Sequence, residues 1–129
     1  MPREIEQRKD FVIRPGMMED KFKKATLEMV ILLLLLGGEK YIDQVKRAIE
    51  EESGDDYKLK ISPHVAFMRL LNNGLVSQKK MIDDETGRKR AYYFITDKGR
   101  DYLKLILGEY EQLSAGADRV IAKYKDQTK

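Results

Sequence analysis

The chain of 129 residues carries 25 Lys and Arg against 22 Asp and Glu, a net charge of +3, and 42% of it is hydrophobic. That apolar share supports one domain with a real core and excludes a chain disordered along its whole length. With no cysteine and one histidine, disulfides, thiolate metal sites, cysteine nucleophiles and His-rich metal centres are all excluded.

Met1 is followed by mixed charges rather than an apolar signal region, and the longest apolar run, Met29–Leu36, falls far short of the ~20 residues that span a bilayer. A soluble, cytoplasmic protein without membrane contact or cofactor is therefore expected. The charge excess is mild, so its distribution carries more information than its sum.

Residues 1–20 are expected to form an arm, partly disordered or holding an extra short element, highly charged, with an apolar patch at Phe11-Val12-Ile13 and a break at Pro15-Gly16. Its basic residues Arg3, Arg8, Lys9 and Arg14 alternate with Glu4, Glu6 and Asp10, which suits a solvated tail or a contact with a partner subunit better than a minor-groove arm. Met17 to Leu36 reads as helical, with Thr26 as a candidate N-cap where the helix would break. Its second half, LEMVILLLLL, is apolar on nearly every side. Such a helix is either a central core element or one whose uncovered side meets a second subunit.

Gly37-Gly38 ends that helix, and Glu39 to Glu52 forms the next, with Tyr41, Ile42, Val45, Ala48 and Ile49 on one face. Lys40, Lys46 and Arg47 mix with acidic residues on the other, the pattern of a solvated face. After a turn at residues 53–56, Tyr57–Ile61 reads as an extended connector. Leu59 and Ile61 would lie on its apolar edge and Lys58 and Lys60 on its basic edge.

A third helix is predicted over Ser62–Asn73, opened by a capping Ser62 with Pro63 at the first helical position. Phe67, Leu70 and Leu71 face inward, leaving Ser62, His64, Val65, Met68, Arg69 and Asn72 outward. Asn73-Gly74 supplies a left-handed stop. Strands over 75–82 and 90–95 flank a turn at 83–87, giving a hairpin with a basic body and an acidic tip. From Thr96 the pattern is helical to about Tyr124. Its later apolar stripe has no following element to cover it, which points to a contact between subunits.

This order of elements is that of a winged helix-turn-helix, mainly α with a small β-hairpin. It divides the chain into an arm (1–20), a winged-helix DNA-binding domain (21–96) and a dimerisation helix (97–129). Double-stranded DNA needs cations for its phosphates and a few side chains for base edges. Lys58, Lys60, Lys79, Lys80, Arg88, Lys89 and Arg90 suit the first task, with Ser62 and His64 at the helix entrance, and Arg69 suits either. Met29, Leu32, Leu33, Leu103, Ile106, Tyr110, Leu113, Val120, Ile121 and Tyr124 are the candidates for a homodimer contact. The alternative is a winged helix turned protein-interaction or assembly module, for which Val65 and Met68 supply an apolar outward face. An enzyme is disfavoured, because Asp83-Asp84-Glu85 lies on an exposed turn and no phosphate loop or metal-ligand spacing is present. Tyr41, Phe22, Met29 and Tyr110 are candidates to line an effector pocket.

Three segments resemble the PadR family of winged-helix transcriptional regulators. TLEMVILLLLLGGEKYIDQVKRAIEE is similar to the family's first two helices, and VAFMRLLNNGLV to the end of its recognition helix. GRKRAYYFITDKGRDYL is similar to its wing return, with Gly87, Arg88, Arg90, Tyr92, Tyr93, Thr96, Gly99 and Arg100 in place. The resemblance, from about Thr26 to Leu113, implies a homodimeric repressor of a pseudo-palindromic operator, with the C-terminal helix packed across the partner's first helix. It also implies, as in some relatives, a small aromatic effector at the dimer interface. Where the family opens its recognition helix with Thr-Leu-Tyr-Pro, this chain has Ser62, Pro63, His64 and Val65, and Met68 stands where a further basic residue is usual.

Overall fold

The computed structural model describes residues 10–129; residues 1–9 of the expected arm lie outside the described residues. Helix α1 runs unbroken over Met17–Leu35, so residues 17–20 belong to a helix and Thr26 caps nothing. Its hydroxyl donates instead to the Phe22 carbonyl one turn back, at 2.7 Å, and lies 2.7 Å from the Tyr57 hydroxyl. A threonine can sit inside a helix at low cost when its hydroxyl is satisfied in this way.

Helix α2 spans Ile42–Glu52, three residues shorter at its start than the apolar spacing predicts. The backbone of Lys40 is committed elsewhere: it donates to the Tyr93 carbonyl at 3.1 Å and accepts from the Tyr93 amide at 2.8 Å. Tyr41 stays extended, and its amide donates to Gln44 Oε1 at 3.0 Å.

The connector does not alternate as expected, because Leu59 is buried while Ile61 is 78% exposed. Nor does Ser62 cap the third helix. Helix α3 covers His64–Asn72, with Pro63 at the cap and no side-chain capping bond. The ψ of Pro63, 25°, is not helical, and its carbonyl accepts the first bond from the Phe67 amide at 3.1 Å. Gly74, at φ 72°, turns the chain out of α3 in the left-handed region where glycine is favoured.

Strands β1 (Val76–Ile82) and β2 (Lys89–Ile95) form an antiparallel hairpin in the register Val76 opposite Ile95 and Lys80 opposite Ala91. Both strands begin or end within one residue of the expected positions. Helix α4 covers Asp97–Tyr124 and passes through Gly108 and Gly116 without interruption. Thr96 caps it: its hydroxyl accepts from the Gly99 amide at 3.0 Å and donates to the Gly74 carbonyl at 2.7 Å.

The core joins Ile31, Leu32 and Leu35 of α1 to Val45, Ile49, Phe67, Leu70, Val76 and Leu103. Phe67 is fully buried and packs on Tyr93 with ring centroids 4.8 Å apart, which holds α3 against β2. Burying a ring of that size contributes roughly 1.5–3 kcal/mol. Met29, Leu32 and Leu103, expected at a subunit contact, are buried in their own chain, at 7%, 0% and 4% exposed. A small domain needs these positions for its own core, so they have no surface left for a partner. Leu33, Ile106 and Tyr110 are half-buried against that core, whereas Leu113, Val120, Ile121 and Tyr124 remain exposed on α4. No described helix is long and apolar enough to cross a membrane.

Candidate nucleic-acid interface

The N-terminal end of α3 stands out from the body. Ser62, His64 and Val65 are exposed, as are Lys58 and Lys60 on the connector leading into it. Inward positions 66, 67 and 70 are buried, so the helix is anchored along one stripe and presents the other.

Arg69, a candidate for a base edge, is engaged elsewhere. Its Nη1 donates to Glu28 Oε2 of α1 at 2.8 Å. Lys79 is likewise paired, 2.9 Å from Glu39 Oε2, and Arg90 Nε lies 3.2 Å from Asp83 Oδ2. By contrast, Lys58, Lys60, Lys80, Arg88 and Lys89 are exposed and form no ion pair among the described residues.

The pleat explains this division in the wing. Side chains alternate between faces of a hairpin, and opposite residues share one. Tyr93 and Ile95 fix one face toward the core and α3, which places Ala91, Lys89 and Lys80 on that same face. Lys79, Tyr92, Met81 and Arg90 occupy the other, over Glu39 and Tyr41. The unpaired lysines of the wing thus share the side of α3, and its paired cations are turned away.

Asp83 organises the tip. Its Oδ1 accepts from the Glu85 amide at 2.9 Å and the Thr86 amide at 3.4 Å. The Glu85 amide above all holds its carboxyl below the usual range; desolvation opposes it, and the Thr86 amide and the Arg90 charge add smaller lowering effects.

A second group of cations was assigned by sequence pattern to a solvated face. Lys46 and Arg47 of α2 line a cavity of about 350 Å³ with Tyr41, Asp43 and Arg90. Arg47 Nη2 donates to the Tyr41 hydroxyl at 3.1 Å, and the Arg90 guanidinium sits 4.4 Å from the centre of the Tyr41 ring. Nothing in the spacing of α2 announces this, because Arg90 comes from the hairpin.

Of the four residues expected around an effector, only Phe22 and Tyr110 meet within the chain. Phe22 meets Tyr57 and Tyr110 edge-on, each at 6.3 Å, and Met29 is in the core, while Tyr41 packs on Tyr92 at 5.4 Å. Burial pushes the Tyr57 hydroxyl up from its ordinary pKa, only partly offset by its bond to Thr26. A different cavity, of about 500 Å³, lies between α1 and α3, where Leu27, Leu59, Ile61 and Val65 form apolar walls. Among the described residues, no three His, Asp or Glu side chains converge to hold a metal ion.

A transcriptional regulator from Clostridium thermocellum shares this architecture with a TM-score of 0.69 and 25% identity, over 77% of this chain and 96% of that one. A PadR-like transcriptional regulator from Bacillus cereus does so at 0.67 and 21% identity, over 78% and 96%. A PadR family regulator from Eggerthella lenta follows at 0.65 and 20% identity, over 81% and 88%. The fold is that of the PadR-like regulators. No family model matches the sequence. An uncharacterized protein of Lysinibacillus sphaericus is 26% identical over 87 residues, 67% of this chain and 80% of that protein. In the PadR-like fold, β1 and β2 are the wing, and α4 is the long C-terminal helix.

Proposed function

We propose that this protein is a DNA-binding transcriptional regulator that acts in the cytoplasm as a homodimeric repressor. Helix α3 enters the major groove, and the wing lies on the neighbouring backbone. The observation that carries this reading is the shared orientation of the free cations. Lys80 and Lys89 lie on the hairpin face turned toward α3, with Arg88 next to them, and Lys58 and Lys60 lead into the exposed end of that helix. Such a row neutralises successive phosphates, while His64 and Val65 are exposed for contact with the groove. The exposed stripe of α4, Leu113, Val120, Ile121 and Tyr124, supplies the dimer contact. In a dimer so formed, the two α3 helices stand about 34 Å apart, one turn of DNA.

The test is fluorescence anisotropy of duplex DNA across a salt series. About four phosphates per subunit make eight per dimer, a slope of roughly −7 in log K against log salt. Replacing Lys80, Arg88 and Lys89 together by glutamate abolishes binding if the reading is right. A flat salt response sinks it.

A second reading, a protein-interaction module, is favoured by one observation. Ile61 and Val65 are 78% and 68% exposed beside the apolar cavity between α1 and α3. A chain of that kind elutes from immobilised duplex DNA at low salt, and its triple glutamate variant behaves like the parent.

A further inference from the structure

The cavity between α2 and the turn end of the wing has no part in the DNA contacts proposed above. Its cations are held in place from several sides. Arg90 lies over the Tyr41 ring at 4.4 Å, with its Nε 3.2 Å from Asp83 Oδ2. That Nε is shielded from solvent and makes no aligned hydrogen bond, so the guanidinium is fixed by stacking and charge. Tyr41 is itself fixed, edge-on against Tyr92 at 5.4 Å and through its amide to Gln44 Oε1. Its hydroxyl then orients Arg47 at 3.1 Å, and Lys46 lines the same cavity. Among the lining side chains, three cations face one carboxylate, Asp43.

We infer that Tyr41, Lys46, Arg47 and Arg90 form a preorganised cradle for one phosphodiester of the duplex backbone. Long cationic side chains normally lose much rotamer freedom on gripping a phosphate. Here Tyr41 has already restricted two of them, Arg90 through its ring and Arg47 through its hydroxyl. Arg47 and Arg90 retain further N–H donors after their contacts with Tyr41 and Asp83, in the fork geometry that suits phosphate oxygens. A cavity of about 350 Å³ admits a phosphate group with its ester oxygens. The cradle adds a grip on the α2 side of the wing, whose only other exposed cation there, Lys79, is tied to Glu39. This inference rests on the DNA-binding reading and extends it to a surface the charge pattern of α2 does not reveal.

The experiment compares the full chain with Lys46→Ala/Arg47→Ala and with Tyr41→Phe on a random-sequence duplex, by anisotropy at several salt concentrations. Circular dichroism checks that each variant is folded. The double variant is expected to bind roughly tenfold more weakly at low salt, with the salt slope reduced by about 0.9 per phosphate released. Tyr41→Phe keeps the ring and loses the hydroxyl that orients Arg47, so a smaller loss of two- to threefold is expected. If the parent chain fails to bind duplex DNA, the functional reading fails. If the parent binds and the folded double variant keeps its affinity and slope, the cradle alone is overturned. A saturable response of tyrosine fluorescence to submillimolar inorganic phosphate, lost in Tyr41→Phe, would reassign the site to a free phosphate and overturn the duplex assignment.

Discussion

The Arg69 guanidinium lies 2.8 Å from the Glu28 carboxylate and fastens α3 to α1. Arg69 keeps 59% of its side chain exposed and Glu28 only 22%, so the pair sits at the edge of the body. Ion pairs so placed contribute about 0.2–1 kcal/mol. Glu28→Gln is expected to destabilise the chain by that order in urea unfolding, and a double-mutant cycle with Arg69→Ala to give a coupling below about 1 kcal/mol. The same variant releases Arg69, so affinity for random duplex DNA should rise slightly. A fall in affinity would show that the pair orients α3 for binding.

Gly99 is fixed by a close approach between α4 and the start of the wing. A Cβ there would overlap the Leu75 carbonyl oxygen and come within 2.8 Å of Ile95 Cγ1. The first atom belongs to the backbone and cannot rotate away. Gly99→Ala is therefore expected to cost at least about 2–3 kcal/mol, seen as a lower midpoint in chemical denaturation, with Gly108→Ala as the comparison. Gly108 has nothing within 4 Å of such an atom, and there alanine should be neutral or stabilising.

Tyr57 and Tyr93 both have pKa values raised from 10.0 by desolvation. For a group whose folded pKa is raised, the folded chain holds its proton longer than the unfolded chain. The associated stability is complete below about pH 10 and declines as pH rises through the folded values. Ultraviolet difference titration should show two of the seven tyrosines ionising late. Tyr57→Phe removes one late step. It also leaves Thr26 bonded only to the Phe22 carbonyl, at a cost of about 1 kcal/mol.

The exposed stripe on α4 predicts the assembly. Val120→Glu with Ile121→Glu places charges at positions 61% and 53% exposed, where a monomer tolerates them and a packed dimer does not. Light scattering should give a dimer for the parent and a monomer of unchanged helicity for the variant. A parent that is monomeric at micromolar concentration would remove the basis for reading a palindrome.

Much of this protein is legible from its residues because the deciding interactions are local. The spacing of Leu103, Ile106, Leu107 and Tyr110 fixes a helix, Thr96 starts that same helix through a bond to the Gly99 amide, and Gly74 stops the one before the hairpin. The alternation in the hairpin gave both strands to within a residue, because strand period and turn residues are properties of neighbouring positions. What misled was equally physical. Thr26 looks like a cap until Tyr57, 31 residues away, supplies its partner inside α1. The start of α2 was set by a backbone bridge between Lys40 and Tyr93, which no local pattern announces.

The sequence by itself determined the order of elements, the basic body of the wing and the acid at its tip. Only the tertiary structure decided which of those charges are free. Arg69, Lys79 and Arg90 look equivalent to Lys80, Arg88 and Lys89 along the chain. Yet the first three meet Glu28, Glu39 and Asp83 once the helices and hairpin pack. The fold likewise divided the predicted interface, drawing Met29, Leu32 and Leu103 into the core and leaving Val120 and Ile121 outside. Charge and apolarity are properties of residues, but pairing and burial depend on distance. Between segments far apart in sequence, distance exists only in the folded chain.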